Sequence, residues 1–285
     1  MALRRADTIA QLNEVLHVAR RDGQRVACVP TMGALHAGHT SLLDRARAEC
    51  DVVVATLFVN PLQFDRADDL ANYPRNVDTD LGICERHGTD VLFSPTPEVM
   101  YPGPQRVTVD VTPLEGCLCG ATRPGHFRGV ATVVTKLLNI VAPQRAYFGE
   151  KDFQQLVIIA TMARDLNLDV EIVGCETVRD DDGLALSSRN ALLDPVQRAA
   201  APLLATVLRD ASAAVAAGER DASKLVAAAK ASLNSEPQFE IDYVEIVDPA
   251  TLEPVSTITG TVRIAAAAYL GSTRLIDNVA ALPLG

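Results

Sequence analysis

Tryptophan is absent from this 285-residue chain, and aromatic residues make up only 4% of it. A platform for stacked nucleic-acid bases needs such rings, so their scarcity argues against that role. Basic residues are the minority: 26 Lys and Arg stand against 36 Asp and Glu, a formal charge of −10. That balance argues against broad electrostatic binding to nucleic acid or anionic membrane and leaves room only for a local basic pocket. Long apolar runs are missing as well. The longest clean one, residues 52–59, is interrupted only by Thr56 and has the length of a strand rather than of a bilayer span. The N-terminal stretch carries Arg4, Arg5, Asp7 and Glu14 in place of the apolar core of a signal peptide. The expected setting is cytoplasmic, with neither membrane nor nucleic acid as a partner. Six cysteines, at 28, 50, 84, 117, 119 and 175, form no C-x-x-C pair. In a chain this long, reduced thiols are expected rather than a disulfide framework. Cys117 and Cys119 have no second pair at zinc spacing, so no protein-held metal is expected.

Hydrophobic residues supply 48% of the chain and charged ones 22%, the balance of an ordinary globular protein, and the length predicts about two domains. The patterning predicts helices over residues 8–21 (with Thr8 and Gln11 as a capping box), 39–50, from Tyr73 or Arg75 to 87, 129–140 and 152–167. Strands are predicted over 25–29 (ended by Pro30), 51–59, 90–93, 106–111, 145–148 and 170–173, with a Pro-rich loop over 95–104. Apolar strands alternating with helices specify an α/β fold, a doubly wound, Rossmann-like parallel sheet covered on both faces. Beyond residue 180 the texture turns α+β. Helices are predicted over 195–217 and 221–233, and a half-buried strand over 239–247 sets Phe239, Ile241 and Tyr243 against Glu240 and Asp242. Two further strands fall at 262–270 and 273–278. The expected domains are a catalytic one over 1–176 and a smaller α+β one over 177–285.

Polar chemistry concentrates in a few motifs. Residues 29–39, VPTMGALHAGH, join a predicted strand to a predicted helix. Gly33 and Gly38 permit close backbone approach, and the helix N-terminus presents N–H groups and a positive dipole end to an anion. His36 and His39, three apart, put both imidazoles on one side of a first helical turn. A metal pair or two incidental turn histidines are the alternatives. H-x-x-H lacks the glutamate of H-E-x-x-H, no third ligand is evident, and the strand–loop–helix setting favours phosphate. The loop contains neither G-K-[ST] nor G-x-G-x-x-G. Asn60 to Gln63 follow a strand at a carboxyl end, where open α/β sheets bind ligands. Gln63 carries donors and an acceptor suited to a hydroxy acid and an amine, or is a solvated loop glutamine. Residues 149–152, GEKD, follow another strand and open a helix. Lys151 can neutralise phosphate there and Gln155 turns inward one turn later, or the lysine is a surface residue between acids. Ser187, Ser188 and Arg189 offer two hydroxyls and a cation able to follow a departing pyrophosphate, or form an N-cap and turn. Arg123 and His126 can meet a carboxylate or flank the turn at Pro124 and Gly125.

The sequence HAGH at 36–39 resembles the H-x-G-H signature with which the nucleotidylyl transferase superfamily holds ATP phosphates. Four further motifs narrow the likeness. FVNPLQF (58–64), RPGHFRG (123–129), FGEKDFQQ (148–155) and LALSSRN (184–190) resemble those of the pantoate–β-alanine ligase family. The resemblance spans essentially the whole chain, and five motifs in order are far more specific than one. It implies ATP-dependent ligation of pantoate to β-alanine through a pantoyl adenylate, with AMP and pyrophosphate released. It also implies Mg²⁺ entering with ATP, and a homodimer. Residue by residue, the resemblance gives ATP to Met32, Gly33, Ala34, Leu35, His36, Ala37, Gly38 and His39, to Gly149, Glu150, Lys151 and Asp152, to Val178, and to Leu186, Ser187, Ser188 and Arg189. Pantoate falls to Asn60, Gln63, Arg123 and Gln155, and β-alanine to Gln63 and His126. His39 is implied as the principal catalytic group, with His36 and Lys151 stabilising charge. Leu186 stands where some members carry Met. Two rival readings are a sister nucleotidylyltransferase, which would keep the nucleotide on its product, and a non-catalytic nucleotide-binding module.

Overall fold

Residues 26–29 and 52–55 are almost wholly buried, and each run becomes an interior strand with both faces covered. The computed structural model describes residues 3–64, 70, 71, 73, 76–112 and 114–283. Six parallel strands form one sheet in the order β1 (Arg4–Ala6), β4 (Val91–Phe93), β3 (Val52–Leu57), β2 (Val26–Thr31), β5 (Arg145–Gly149), β6 (Glu171–Cys175). The chain adds β3 and β4 to one side of β2 and then β5 and β6 to the other. The carboxyl ends of β2 and β5 therefore flank the switch point at which such sheets hold ligands. This is the doubly wound α/β arrangement that the alternating pattern specifies.

The helices end where local chemistry dictates. Thr8 caps Ile9–Arg21 by the predicted box: its hydroxyl accepts from Gln11 N and the Gln11 side-chain Oε1 accepts from Thr8 N. Leu12 and Leu16, one turn apart, are fully buried beneath it. Asn76 caps Val77–Arg86 through Thr79 N at 3.1 Å. That helix thus starts after Tyr73, which is not helical, and Arg75 lies outside the described residues.

Three expectations fail for identifiable reasons. Pro30 does not end its strand, which continues to Thr31 in register with Leu57. Thr31 O accepts from Phe58 N on the β3 side, so the alternate residue Pro30 faces β5, whose ladder with β2 stops at Cys28 and Ala146. A missing N–H is harmless there. Residues 106–111 form no strand: Val109 N donates to the Thr132 hydroxyl at 3.0 Å and not to a neighbouring strand. The helix predicted over 195–217 is two, Pro195–Ala200 and Leu203–Ala216, parted at Pro202.

A second sheet of three antiparallel strands, β7 (Phe239–Val247), β8 (Val262–Leu270) and β9 (Thr273–Ala281), is covered by Leu203–Ala216 and Ala222–Asn234. A bulge between Ile241 and Tyr243 shifts the pleat of β7, so Val244 and Ile246 are buried where strict alternation places polar residues. By length and composition alone, Pro195–Ala216 suffices to cross a membrane; its face of Leu204, Leu208, Ala211 and Val215 is buried against this sheet.

Contacts divide the chain into two compact units. One comprises Met1–Thr112, Arg123–Glu150 and Ile158–Glu176; the other comprises Pro113–Thr122, Lys151–Val157 and Thr177–Gly285.

Candidate active site

In the first unit, the loop leaving β2 has a backbone that few residues adopt. Gly33 lies at φ +90° and Ala34 at +52°. A Cβ on Gly33 would stand 2.9 Å from an Asp80 carboxylate oxygen, so glycine is required twice over. His36 is not inside the following helix, Ala37–Glu49, but is its N-cap. Its Nδ1 accepts from Gly38 N at 3.1 Å, and His39 Nδ1 accepts from His36 N at 3.3 Å. The two imidazoles form a reciprocal capping box, their centroids 4.2 Å apart. A nitrogen that accepts carries no proton, so the network assigns Nε2–H as the hydrogen-bond donor of each neutral ring. The loop amides expected to meet an anion are engaged internally. Gly33 N donates to Thr31 Oγ1, Ala34 N and Leu35 N to Asp80, and His39 N to His36 O.

At the carboxyl end of β3 a buried network surrounds Gln63. Asn60 Nδ2 donates to Gln63 Oε1 at 3.0 Å and to Gly129 O at 3.1 Å. Asn60 Oδ1 accepts from Leu62 N and from the Tyr101 hydroxyl at 2.8 Å. Both polar side-chain atoms of Asn60 are thereby used inside the protein, and their structural effect is to fix the Gln63 amide. Gln63 Nε2 faces Met32 Sδ at 3.2 Å. The Gln63 carbonyl accepts from His126 Nδ1 at 2.7 Å, and Arg123 Nη1 lies 3.3 Å from His126 Nε2. These bonds require the Nδ1–H tautomer of His126, with Nε2 accepting from Arg123. Burial pushes the Tyr101 hydroxyl up to about 12, so it remains a neutral donor. In the same unit, Gly149 ends β5 and Glu150 opens the short 3-10 turn that follows it.

The second unit carries the other motif residues. Lys151 and Asp152 sit in a single 3-10 turn before Phe153–Asp165, and Asn278 Nδ2 donates to Lys151 O at 2.9 Å. Lys151, Ser187, Asn190 and Asp277 line a recess floored by Leu184 and Leu204. Val178 and Leu186 meet directly: Leu186 N donates to Val178 O at 3.0 Å, beside a bridge between Arg179 and Ala185. The resulting small hairpin is clamped by Arg179, whose guanidinium makes two bonds, 2.7 and 2.9 Å, to the buried Asp277. Ser187 caps the 3-10 turn Ser188–Leu192 by accepting from Arg189 N at 3.3 Å. Of the neighbouring glutamines, Gln154 is buried. It donates to Leu114 O and Cys117 O and accepts from Gly120 N, while Gln155 stays partly exposed.

The motif residues thus fall into one set around His36, His39 and Gln63 and another around Lys151 and Ser187. Asp80, Tyr101 and Asp277, which shape these sets, carry no motif in the sequence, whereas Asn60, Gly129 and Gln154 lie within recognisable ones. No group of three or more His, Cys, Asp or Glu able to hold a metal occurs among the described residues.

A parallel α/β sheet with paired imidazoles leaving its switch point defines an enzyme class that handles nucleotide phosphates. Within it, this chain belongs to the pantoate–β-alanine ligase family, whose sequence model matches residues 4–280. A pantothenate synthetase from Geobacillus kaustophilus is 50% identical over 273 residues, 96% of this chain and 91% of that protein. One from Ruminiclostridium cellulolyticum is 47% identical over 281 residues, 99% of this chain and 100% of that one. Among solved structures, the pantothenate synthetase of Thermus thermophilus superposes with a TM-score of 0.92 at 45% identity, covering 97% of this chain and 98% of its own. The pantoate–β-alanine ligase of Francisella tularensis, complexed with β-γ ATP and β-alanine, gives 0.81 at 33% identity, covering 98% and 97%.

Proposed function

We propose that the chain carries out its ATP-dependent ligation in two steps. A pantoate carboxylate oxygen attacks the α-phosphorus of ATP; the bond to the bridging oxygen breaks, and pyrophosphate leaves. The amine nitrogen of β-alanine then attacks the activated acyl carbon, a proton is lost from nitrogen, the bond from that carbon to the oxygen bridging it to phosphorus breaks, and AMP departs with the bridging oxygen. The detour is needed because a carboxylate is a poor electrophile and amide formation requires a better leaving group.

The observation that carries the reading is the imidazole capping box. With both Nδ1 atoms held by backbone amides, His36 and His39 present Nε2–H edges in fixed orientation, the arrangement that stabilises charge developing on phosphoryl oxygens. His39 is assigned as the principal catalytic residue. Lys151 and Arg189 supply compensating cations, with Ser187 and Ser188 as hydroxyl donors to the leaving pyrophosphate. Val178 and Leu186, joined backbone to backbone, hold the nucleoside end of ATP. Gln63 and Gln155 hold pantoate, Arg123 faces its carboxylate, and Gln63 with His126 receives β-alanine. Mg²⁺ enters as part of the ATP substrate, since the imidazoles and cations assigned to the phosphates are poor ligands for a hard, oxygen-seeking ion. We place the reaction in the cytoplasm and in a homodimer, an assembly that sedimentation of the purified chain reads directly.

The test is pantoate-dependent pyrophosphate release. His39→Ala should lower its rate by about two orders of magnitude or more with an intact circular dichroism spectrum. An undiminished burst of pyrophosphate would overturn the assignment. Wild-type protein that binds ATP yet releases no pyrophosphate with pantoate would instead favour a module that binds the nucleotide without turning it over.

A further inference from the structure

The histidine loop is held from outside by a residue that belongs to none of the motifs. Asp80 sits in the first turn of Val77–Arg86 and is 1% exposed. One carboxylate oxygen accepts from Ala34 N at 3.0 Å and the other from Leu35 N at 2.8 Å. These are the two amides immediately before His36, and Ala34 is a non-glycine residue held in the left-handed region, at φ +52°. The next amide, His36 N, already belongs to His39 Nδ1. The carboxylate and the imidazole box are thus consecutive links: Asp80 fixes residues 34 and 35, they set the direction of the chain into His36, and His36 N holds the His39 ring.

We propose that Asp80 is the positioning residue for the catalytic imidazoles, acting through the backbone of Ala34 and Leu35 and touching no substrate itself. A carboxylate is the side chain suited to the task, because it alone among residues of this length accepts from two adjacent amides with two equivalent oxygens. Its burial against Gly33, where a Cβ would collide with it, leaves the loop one path past it. The proposal rests on the functional reading above for the consequence to rate, but the geometric link from Asp80 to the rings stands apart from any activity.

Asp80→Asn tests it at constant volume, since the new amide nitrogen cannot accept from either backbone N–H. In folded variant protein, the ring ¹H–¹⁵N signals of His36 and His39 should shift while those of His17 and His87 stay in place. The turnover number for pyrophosphate release should fall about tenfold or more, with the pantoate KM within twofold. If the carboxylate served only through its charge, removing it beside the phosphates would tighten ATP and leave turnover intact. That outcome, or unmoved ring signals with turnover within threefold of wild type, would overturn the proposal. Moved ring signals together with an active His39→Ala protein would instead overturn the functional reading and leave the positioning intact. Should Asp80→Asn fail to fold, hydrogen exchange on the wild-type chain decides. Ala34 and Leu35 amides are expected among the protected ones, and exchange at the rate of open loop amides would refute the link.

Discussion

A methyl group at position 129 would stand 2.3 Å from the Leu62 carbonyl oxygen and 2.8 Å from Gln63 N. Both neighbours are backbone and cannot swing aside as a flexible side chain would. Gly129→Ala should therefore destabilise by about 1–3 kcal/mol, the range for overpacking a filled interior. It should also raise the pantoate KM severalfold, because the displaced segment carries Gln63. A thermal melt and initial rates against pantoate check both; an unchanged KM would mean that Gln63 does not bind pantoate from this position. Tyr101 makes a prediction about pH. Burial lifts its hydroxyl to about 12, above the ordinary tyrosine value of 10. The folded state favours the neutral phenol, so its contribution is fully present below pH 10 and disappears as the pH rises through 12. Between those values wild-type Tm should fall faster with pH than that of Tyr101→Phe, and parallel curves would contradict it.

At the scale of elements, the hairpin that joins Val178 to Leu186 depends on a charge pair nearly a hundred positions apart in sequence. Asp277 is 2% exposed and Arg179 22%, so removing one partner strands the other largely away from water. Asp277→Asn should cost about 3 kcal/mol by that route and raise the ATP KM. Arg179→Met with Asp277→Leu should recover most of the stability by replacing the pair with apolar contact, without restoring ATP affinity. A single variant as stable as wild type would contradict the argument. Helices and strands with strong periodicity were legible in sequence, including the Thr8 capping box. The misreadings came where tertiary surroundings decide. Pro30 is tolerated because the ladder toward β5 has already stopped, and the alternating residues 106–111 find a threonine hydroxyl rather than a strand edge.

For the molecule as a whole, legibility followed distance along the chain. The H-x-x-H pair and the Gly149–Asp152 turn could be read because their chemistry lies within a few residues. Asp80 and Tyr101 could not, since each acts on atoms more than 40 positions away. The anionic chain nevertheless has to bring together anionic substrates, and on our reading it does so in a fixed order. Nothing in the first step requires the amine. Pyrophosphate labelled with ³²P should therefore enter ATP when the protein is given ATP, Mg²⁺ and pantoate without β-alanine, by reversal of adenylate formation. Omitting pantoate should abolish the exchange, and adding β-alanine should suppress it as AMP and product form. Exchange that requires β-alanine would mean a concerted reaction with no free-standing adenylate. Exchange without pantoate would mean that pyrophosphate is displaced by a group of the protein itself, for which neither imidazole is placed if its Nδ1 accepts from backbone and its Nε2 carries the proton.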